Sequence, residues 1–279
     1  MSGANEKYVP IRLMLIAANP VIAELAIKAG VDRVMVDLEL LGKDERQSGR
    51  NSVVSRHTVE DIWRIRSSVP AGALLVRTNP MHVGIRAEIE AVLAAGADLL
   101  MLPYFHRTQE LIEYCRIVAG RAAVVPLVET PEAVSCIDEI VKTAGVSEVL
   151  VGLNDLHIAL GRKFMFELVA EGIVDTVAAA AHRVGMPFGF GGIARIGQGI
   201  VPGELVLSEH QRLRSSAVIL SRTFVAGLPN VQGVPDPADF IQAVRQLREV
   251  EKSLAARTSE QRASAHEEFL RLVRSHVNA

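Results

Sequence analysis

The sequence predicts an α/β fold, a (β/α)8 barrel of the TIM type with a C-terminal helical extension, from its composition, its length and a repeating unit. The chain has 279 residues, of which 49% are hydrophobic and 22% charged, and its formal net charge is −2. This balance is typical of a globular protein with a large core and excludes the disordered and fibrous classes. The length suits one barrel of this kind, which typically needs about 250 residues.

The repeating unit is a helical stretch that ends at a glycine and is followed at once by a short apolar run. A glycine in this place adopts the left-handed conformation that ends a helix. Four copies of the unit end at Gly30, Gly96, Gly145 and Gly185.

Eight short apolar runs are predicted to be strands. In chain order they begin at Leu13, Val34, Leu74, Leu99, Ala123, Val149, Phe188 and Val218. Helical patterns separate them, among others over residues 58–69, 82–95, 109–118 and 131–143. Continuous apolar strands that alternate with helices indicate βαβ units and a parallel sheet.

An open doubly wound sheet is the competing architecture, because eight strands alone do not exclude it. Two features favour the closed barrel. The opening strand is followed by residues 17–20, Ala-Ala-Asn-Pro, rather than by a glycine-rich nucleotide loop. Polar or turn residues also recur after successive strands at a constant spacing of 26 residues, at Arg77, Pro103, Glu129 and Asp155. Equivalent positions at strand ends are where a barrel builds its active site.

The predicted division of the chain is a barrel core over residues 1–228 and a C-terminal helical extension over residues 229–279. The extension opens with a proline-punctuated loop and continues in an apolar stripe from Phe240 to Leu254, followed by a charged helix around Phe269 and Val273. We expect the extension to complete the barrel and to pack on a neighbouring subunit of a homo-oligomer. The alternative is that the first helix is the eighth barrel helix and the tail folds back over the barrel.

Charge and cysteine content restrict the partners. The chain has 30 basic and 32 acidic residues without a long run of one sign, which argues against nucleic acid and membrane partners and favours a small molecule. Two cysteines, Cys115 and Cys136, give no disulfide framework and suit a reducing compartment. The first apolar run is too short for a signal peptide or a membrane span, so we expect a cytoplasmic protein.

Two carboxylates, Glu129 and Asp155, follow the fifth and sixth predicted strands and should point toward one site. Oxygen ligands without cysteine or a histidine pair suit a divalent metal, with Mg²⁺ first and Mn²⁺ or Co²⁺ as options. The alternative is that each acid only stabilises the start of the following helix.

A second polar group follows the second and third predicted strands. It contains Asp37, Glu39 and Arg77. A cation and several acids gathered at one barrel mouth favour an active site. The alternative is a purely structural ion pair between Arg77 and one of the two acids.

The ordered motifs of the chain resemble those of the HpcH/HpaI aldolase and citrate lyase beta-chain family. They are Asp-Leu-Glu from Asp37, Val-Arg-x-Asn-Pro around Arg77, Met-Leu-Pro at 101–103, Leu-Val-Glu-Thr-Pro-Glu around Glu129 and Gly-Leu-Asn-Asp-Leu around Asp155. Each motif is short, but this order and spacing are specific, and the resemblance extends from Leu13 to Phe224.

The resemblance implies a barrel of the pyruvate/phosphoenolpyruvate type in which Glu129 and Asp155 hold a divalent metal. That metal would chelate the carboxylate and 2-oxo oxygens of a 2-oxo acid, or the carbonyl of an acyl-CoA in the citrate lyase branch. Arg77 would stabilise the enolate oxygen as a carbon–carbon bond breaks. Asn154, beside the metal ligand, is expected to contact the substrate.

The chain departs from the family pattern after Glu39. Aldolase members have a histidine there and the citrate lyase branch an aspartate, whereas this chain has Leu40. The proton-transfer residue is therefore missing from its usual place. His157 follows Asp155 by two positions and is a candidate for a catalytic role at the mouth, whereas His57 is interpreted as part of a helix start.

Two basic segments are candidates for substrate binding. Lys43 and Arg46, in the loop after Leu40, suit a carboxylate or phosphate; the alternative is a solvated charged loop. Gly191, Gly192 and Arg195 follow the seventh strand, where backbone amides of barrels often bind anions, and Arg222 after the eighth strand adds a second arginine. The alternative is that the glycines only relieve crowding.

The sequence thus predicts a metal-dependent carbon–carbon lyase of the class II aldolase type that acts on a small 2-oxo acid. A citrate-lyase-like acyl-CoA lyase is the alternative enzyme. A barrel that binds metal and ligand without catalysis is the alternative class, and the leucine at position 40 would suit it.

Overall fold

A computed structural model describes residues 9–42, 55–225 and 236–279 and shows a closed barrel of parallel strands. The eight strands pair in sequence order, and β1 pairs with β8 to close the barrel, so the predicted fold class is confirmed. The strands are β1 Arg12–Ile16, β2 Arg33–Asp37, β3 Leu74–Arg77, β4 Leu99–Leu102, β5 Ala123–Val128, β6 Val149–Val151, β7 Phe188–Phe190 and β8 Ala217–Ile219. Each of the eight predicted apolar runs forms one of them.

Helices surround the barrel. In the described residues they are α1 Pro20–Ala29, α2 Val59–Arg66, α3 Ile85–Ala94, α4 Thr108–Val118, α5 Pro131–Ser135, α6 Ile137–Ile140, α7 Leu153–Ala159, α8 Glu167–Ala170, α9 Ile173–Arg183, α10 Gly203–Arg212, α11 Pro237–Ala255 and α12 Ser259–Val277. The helix predicted over residues 131–143 is split in two, because Cys136 leaves the helical conformation at φ −96° and ψ 12°.

The glycines that end helices have the predicted conformation. Gly30 has φ 95° and donates its backbone N–H to the carbonyls of Ala26 and Ile27, which satisfies two acceptors at the end of α1. Gly145 has φ 94° where the chain turns toward β6. These glycines fix where each strand begins, and hence which residues reach the opposite end of the barrel.

The barrel interior is a packed core of its own. Alternate residues of the strands fill it, among them Met14, Met35, Leu75, Met101, Val125 and Leu150. A second core of Val, Ile, Leu and Phe side chains lies between the strands and the helices. Because the interior is filled, open space begins only at the carboxyl ends of the strands, where β2, β3 and β5 present polar residues.

The two C-terminal helices are packed on their own chain. α11 lies against α1 and α10, and α12 lies against α10 and α8. Phe240, Val244, Leu247 and Phe269 are fully buried there. The apolar stripe is therefore covered without a second subunit, and the argument from the stripe to an oligomer was wrong. A homo-oligomer remains a prediction of the family resemblance alone.

No helix in the described ranges is both long enough and apolar enough to cross a membrane.

A buried histidine joins α10 to β7. The ring of His210 stacks on Phe190 with centroids 3.7 Å apart, and its Nδ1 lies 2.9 Å from the hydroxyl oxygen of Ser215. The side chain is fully buried, and burial lowers the pKa of His210 to about 3 because the charged ring would lose its hydration. His210 is therefore neutral in the folded protein at neutral pH.

We expect His210 to make the fold sensitive to acid. The unfolded chain protonates this ring below pH ~6.5 while the folded chain resists protonation until about pH 3, so stability is complete above pH ~6.5 and falls as the pH decreases. Between pH 7.5 and pH 5 the loss is about 2 kcal/mol. Urea denaturation at both pH values measures it. His210→Phe, which keeps the stacked ring, should remove about that much of the pH dependence; an unchanged dependence would contradict the assignment.

Candidate active site

One cavity of about 580 Å³ opens at the carboxyl ends of the barrel strands. Its wall contains seven of the residues that the sequence predicted for a site: Asp37, Arg77, Glu129, Asn154, Asp155, Gly191 and Gly192. These residues come from loops or ends of β2, β3, β5, β6 and β7. The barrel thus brings residues that are more than 150 positions apart in the chain to one place.

The guanidinium of Arg77 is held by two carboxylates. Its Nε and Nη2 donate to the two carboxylate oxygens of Asp37 at 2.8 and 2.7 Å, and its Nη1 lies 3.2 Å from Oε2 of Glu39. Asp37 and Arg77 are paired residues in the register of β2 and β3, so the sheet itself places the two groups together. The predicted ion pair exists, and it forms part of the cavity wall.

This pairing decides the charge of Arg77. Burial disfavours the cation, but Asp37 and Glu39 more than offset that cost and raise the pKa of the guanidinium above its ordinary value. Asp37, Glu39 and the cation are all shielded from solvent. The site therefore keeps a permanent positive charge in a fixed orientation.

Glu129 stands directly after β5 and faces the cavity. Its Oε1 accepts a hydrogen bond of 2.9 Å from the backbone N–H of Tyr104, and the helix α5 is capped by Thr130 instead. Burial, together with the negative charges of Glu39 and Asp155, raises the pKa of Glu129 well above its usual range, against the opposing effects of Arg77 and the Tyr104 N–H. The alternative in which Glu129 serves as a helix cap is therefore not what the structure shows.

A glycine makes room for the Glu129 side chain. A Cβ atom added to Gly152 would lie 2.4 Å from Oε2 of Glu129 and 2.9 Å from its Cβ. Gly152 precedes α7, whose first turn carries Asn154 and the buried Asp155. The close approach of the two chain segments thus brings both carboxylates to the same side of the cavity.

The residues present fit a divalent cation. Asp37, Glu39 and Glu129 act on the buried guanidinium of Arg77, and Glu39 and Asp155 act on Glu129. These four buried acids outnumber the two arginines of the cavity wall, Arg77 and Arg222. No three His, Cys, Asp or Glu side chains in the described part of the chain form a complete metal cage. A pair of carboxylates completed by water or substrate is the arrangement that Mg²⁺ commonly accepts.

Two other predicted residues, Arg195 and His157, do not line the cavity. The Nη2 of Arg195 lies 2.6 Å from Asp239 of α11 and donates to the carbonyl of Phe224 at 3.1 Å, and Arg195 does not line the cavity. The guanidinium of Arg195 is thus paired with the Asp239 carboxylate of α11. Its expected role in anion binding is therefore not supported. His157 is buried with Nδ1 3.0 Å from the carbonyl oxygen of Leu153, outside the cavity wall. Lys43 and Arg46 lie outside the described residues.

The cavity wall also contains residues that the sequence did not single out. Ser55 and His57 precede α2, and Met165 precedes α8. Arg222, which the sequence named as a second arginine after the eighth strand, lines the cavity as well. The backbone N–H of Asp37 donates to Nδ1 of His57 at 3.1 Å. His57 was interpreted as part of a helix start, and Thr58 does cap α2. The return of His57 to the end of β2 is a tertiary contact that local pattern does not signal.

Comparison with known families gives one match over most of the barrel. Residues 11–185 match the sequence pattern of the HpcH/HpaI aldolase/citrate lyase family. The matched segment contains β1 to β6 and the three polar groups around Arg77, Glu129 and Asp155.

Individual relatives match over shorter stretches. A pyruvate kinase of Methylorubrum extorquens is 32% identical over 102 residues, 37% of this chain and 20% of that protein. A hydroxypyruvate/pyruvate aldolase of Rhizorhabdus wittichii is 35% identical over 77 residues, 25% of this chain and 31% of that protein. The chain thus covers less than a third of the length of either relative.

Solved structures share the fold. Protein CitE of Mycobacterium tuberculosis, in complex with magnesium and pyruvate, has a TM-score of 0.60 to this chain at 18% identity. The likeness covers 93% of this chain and 97% of that one.

We expect Asp37→Asn to destabilise the protein by about 3 kcal/mol, because it leaves the buried Arg77 cation without its bidentate partner. Urea denaturation measures the change. Glu113→Gln is the matched control, since it removes the same bidentate geometry from the exposed pair with Arg116 and should shift the midpoint little. Equal effects of the two substitutions would show that the Arg77 pair does not hold the mouth of the barrel together.

Proposed function

Because the chain belongs to the HpcH/HpaI aldolase/citrate lyase family, we propose that it is a metal-dependent carbon–carbon lyase of the aldolase type. Its substrate would be a small 2-oxo acid or the aldol adduct of one. The observation that carries this proposal is the convergence of Glu129, Asp155 and the buried Arg77 cation on one cavity. The printed activity of the Rhizorhabdus wittichii relative, a hydroxypyruvate/pyruvate aldolase, supports the substrate class.

Glu129 and Asp155 would hold the divalent metal, with Mg²⁺ as the first choice and Mn²⁺ or Co²⁺ as alternatives. Such an ion, when bound, supplies positive charge to the 2-oxo oxygen and fixes the carboxylate of the substrate. The magnesium and pyruvate bound together by the structural relative CitE are consistent with this choice.

Arg77 would stabilise the charge that develops on the substrate. Two of its five N–H groups donate to Asp37, and Nη1 lies 3.2 Å from Oε2 of Glu39. The other N–H groups would be the ones that contact a ligand in the cavity. When the C3–C4 bond of a 4-hydroxy-2-oxo acid breaks, its electron pair passes to the three-carbon fragment and the negative charge collects on the C2 oxygen. A guanidinium that is already oriented stabilises this charge without reorganising.

Turnover with a panel of substrates tests the proposal. Pyruvate with small aldehydes should give 4-hydroxy-2-oxo acids in the presence of Mg²⁺ or Mn²⁺, and a chelator should abolish the reaction. Turnover of a hydroxyacyl-CoA in place of these substrates would favour the citrate-lyase-like alternative. Metal binding without turnover of either class would favour a non-catalytic barrel.

We expect Gly152→Ala to weaken divalent-ion binding by at least tenfold, because the added methyl occupies the space of the Glu129 carboxylate. Calorimetric titration with Mn²⁺ measures the affinity. Glu129→Gln combined with Asp155→Asn is the reference for complete loss of the site, and circular dichroism checks that both variants fold. Wild-type affinity in the double variant would place the metal elsewhere.

We expect Arg77→Lys to lower kcat for aldol cleavage by about 100-fold, because a lysine keeps the charge but cannot hold Asp37 and the substrate at once. Affinity for Mn²⁺ should change less than threefold, since Arg77 is not one of the proposed metal ligands. Steady-state kinetics and calorimetry measure the two quantities. An unchanged kcat would remove Arg77 from the reaction.

A further inference from the structure

Tyr104 has a backbone conformation that residues with a side chain rarely adopt. Its φ is 45°, in the left-handed region, where the Cβ atom crowds the following carbonyl oxygen. Two further non-glycine residues in the described part of the chain have a positive φ, Ala119 and Arg214, and both lie at or just after the end of a helix. Left-handed residues are common there, because they help to satisfy the last carbonyl groups of the helix. Tyr104 lies between β4 and α4 and ends no helix.

The chain on both sides of Tyr104 is fixed by burial and by a hydrogen bond. Pro103 and Phe105, the two neighbours, are buried. The carbonyl oxygen of Phe105 accepts a hydrogen bond of 2.7 Å from the Oγ1 hydroxyl of Thr130, which follows β5. A strained residue keeps its conformation when its surroundings are determined in this way.

This conformation directs the backbone N–H of Tyr104 to Glu129. The angle φ is the rotation about the N–Cα bond, so it sets where the N–H points relative to the chain that follows. The N–H donates to Oε1 of Glu129 at 2.9 Å, from the loop after β4 to the residue after β5. When Glu129 is ionised, such a hydrogen bond is stronger than one between neutral groups. It resists rotation of the carboxylate about the Cγ–Cδ bond, because that rotation would break it.

We propose that Tyr104 is a positioning residue, whose left-handed backbone conformation holds the Glu129 carboxylate in the orientation that binds the divalent metal. The inference rests on the proposed function, since it takes Glu129 as a metal ligand. Glu129 lines the cavity and Tyr104 does not, so the effect of Tyr104 passes through the carboxylate. A hydrogen bond that orients a ligand before the metal arrives increases the affinity for the metal.

The alternative is that Tyr104 only lets the chain turn from β4 to α4. The two roles predict different measurements. A residue that only makes the turn affects the free energy of unfolding and leaves the metal affinity of the folded protein unchanged. A positioning residue changes the metal affinity of the folded protein.

Two substitutions that both remove the phenol ring separate the backbone of Tyr104 from its side chain. Tyr104→Asn introduces a residue that tolerates the left-handed conformation, and Tyr104→Val a β-branched residue for which a positive φ is an outlier. Both variants keep the backbone N–H. Ala119→Val is the matched control, because it places the same strain at φ 53° at the end of α4, outside the cavity wall.

We expect Tyr104→Val to lower the affinity for Mn²⁺ by about tenfold or more, with Tyr104→Asn within about threefold of the wild type. Ala119→Val should lower the urea midpoint and leave the affinity for Mn²⁺ unchanged. Calorimetric titration measures the affinity. Circular dichroism and urea denaturation show that each variant is folded during the titration.

Amide spectra of the wild-type protein give a second measurement, which decides the case even where Tyr104→Val does not fold. Addition of Mg²⁺, which is diamagnetic, should shift the signal of the Tyr104 amide proton, because its acceptor belongs to a proposed metal ligand. The Ala119 amide, which donates to the carbonyl of Cys115 at 2.9 Å, should keep its position.

Equal Mn²⁺ affinities of Tyr104→Asn and Tyr104→Val would overturn the role of the Tyr104 backbone, whether both match the wild type or both are weaker. A Tyr104 amide signal that stays in place while Mg²⁺ binds would overturn it as well. Either result leaves the proposed function intact when the wild-type protein binds the metal and adds pyruvate to an aldehyde. A wild-type protein that binds neither Mg²⁺ nor Mn²⁺ would instead contradict the proposed function itself.

Discussion

The ion pair between Arg77 and Asp37 is the interaction on which the architecture of the site depends. It joins residues that are paired in the register of β2 and β3, at the mouth of the barrel. Oε2 of Glu39 lies 3.2 Å from Nη1 of the same arginine. A guanidinium this deeply buried is tolerable only because two carboxylates compensate it. The backbone N–H of Asp37 also donates to Nδ1 of His57, so Asp37 links the end of β2 both to β3 and to the segment that precedes α2.

On the opposite side of the cavity, Glu129 and Asp155 place two carboxylates close together. Glu129 approaches Gly152 so closely that any side chain there would displace it, and its carboxylate lies within the field of Glu39 and Asp155. Several carboxylates buried close together are costly for a fold. A divalent ion between Glu129 and Asp155 would remove that cost and place positive charge opposite Arg77, where a 2-oxo acid has its oxygens.

Most of the fold was predictable because its signals are local. Glycines such as Gly30 and Gly145 end helices through their own backbone conformation, and each apolar run between them became a strand. The site was predictable where it follows from strand order, since the spacing of 26 residues places Arg77, Glu129 and Asp155 at equivalent strand ends. What failed depends on partners that are distant in the chain. Arg195 binds Asp239 of α11, and the stripe that begins at Phe240 is covered by α1 and α10.

The most direct test of the central claim is calorimetric binding of pyruvate to the full chain in the presence and absence of Mg²⁺ or Mn²⁺. If Glu129 and Asp155 hold a metal that in turn binds the 2-oxo acid beside Arg77, pyruvate should bind only when the metal is present. Pyruvate that binds with equal affinity after complete chelation of divalent ions would contradict this account of the site.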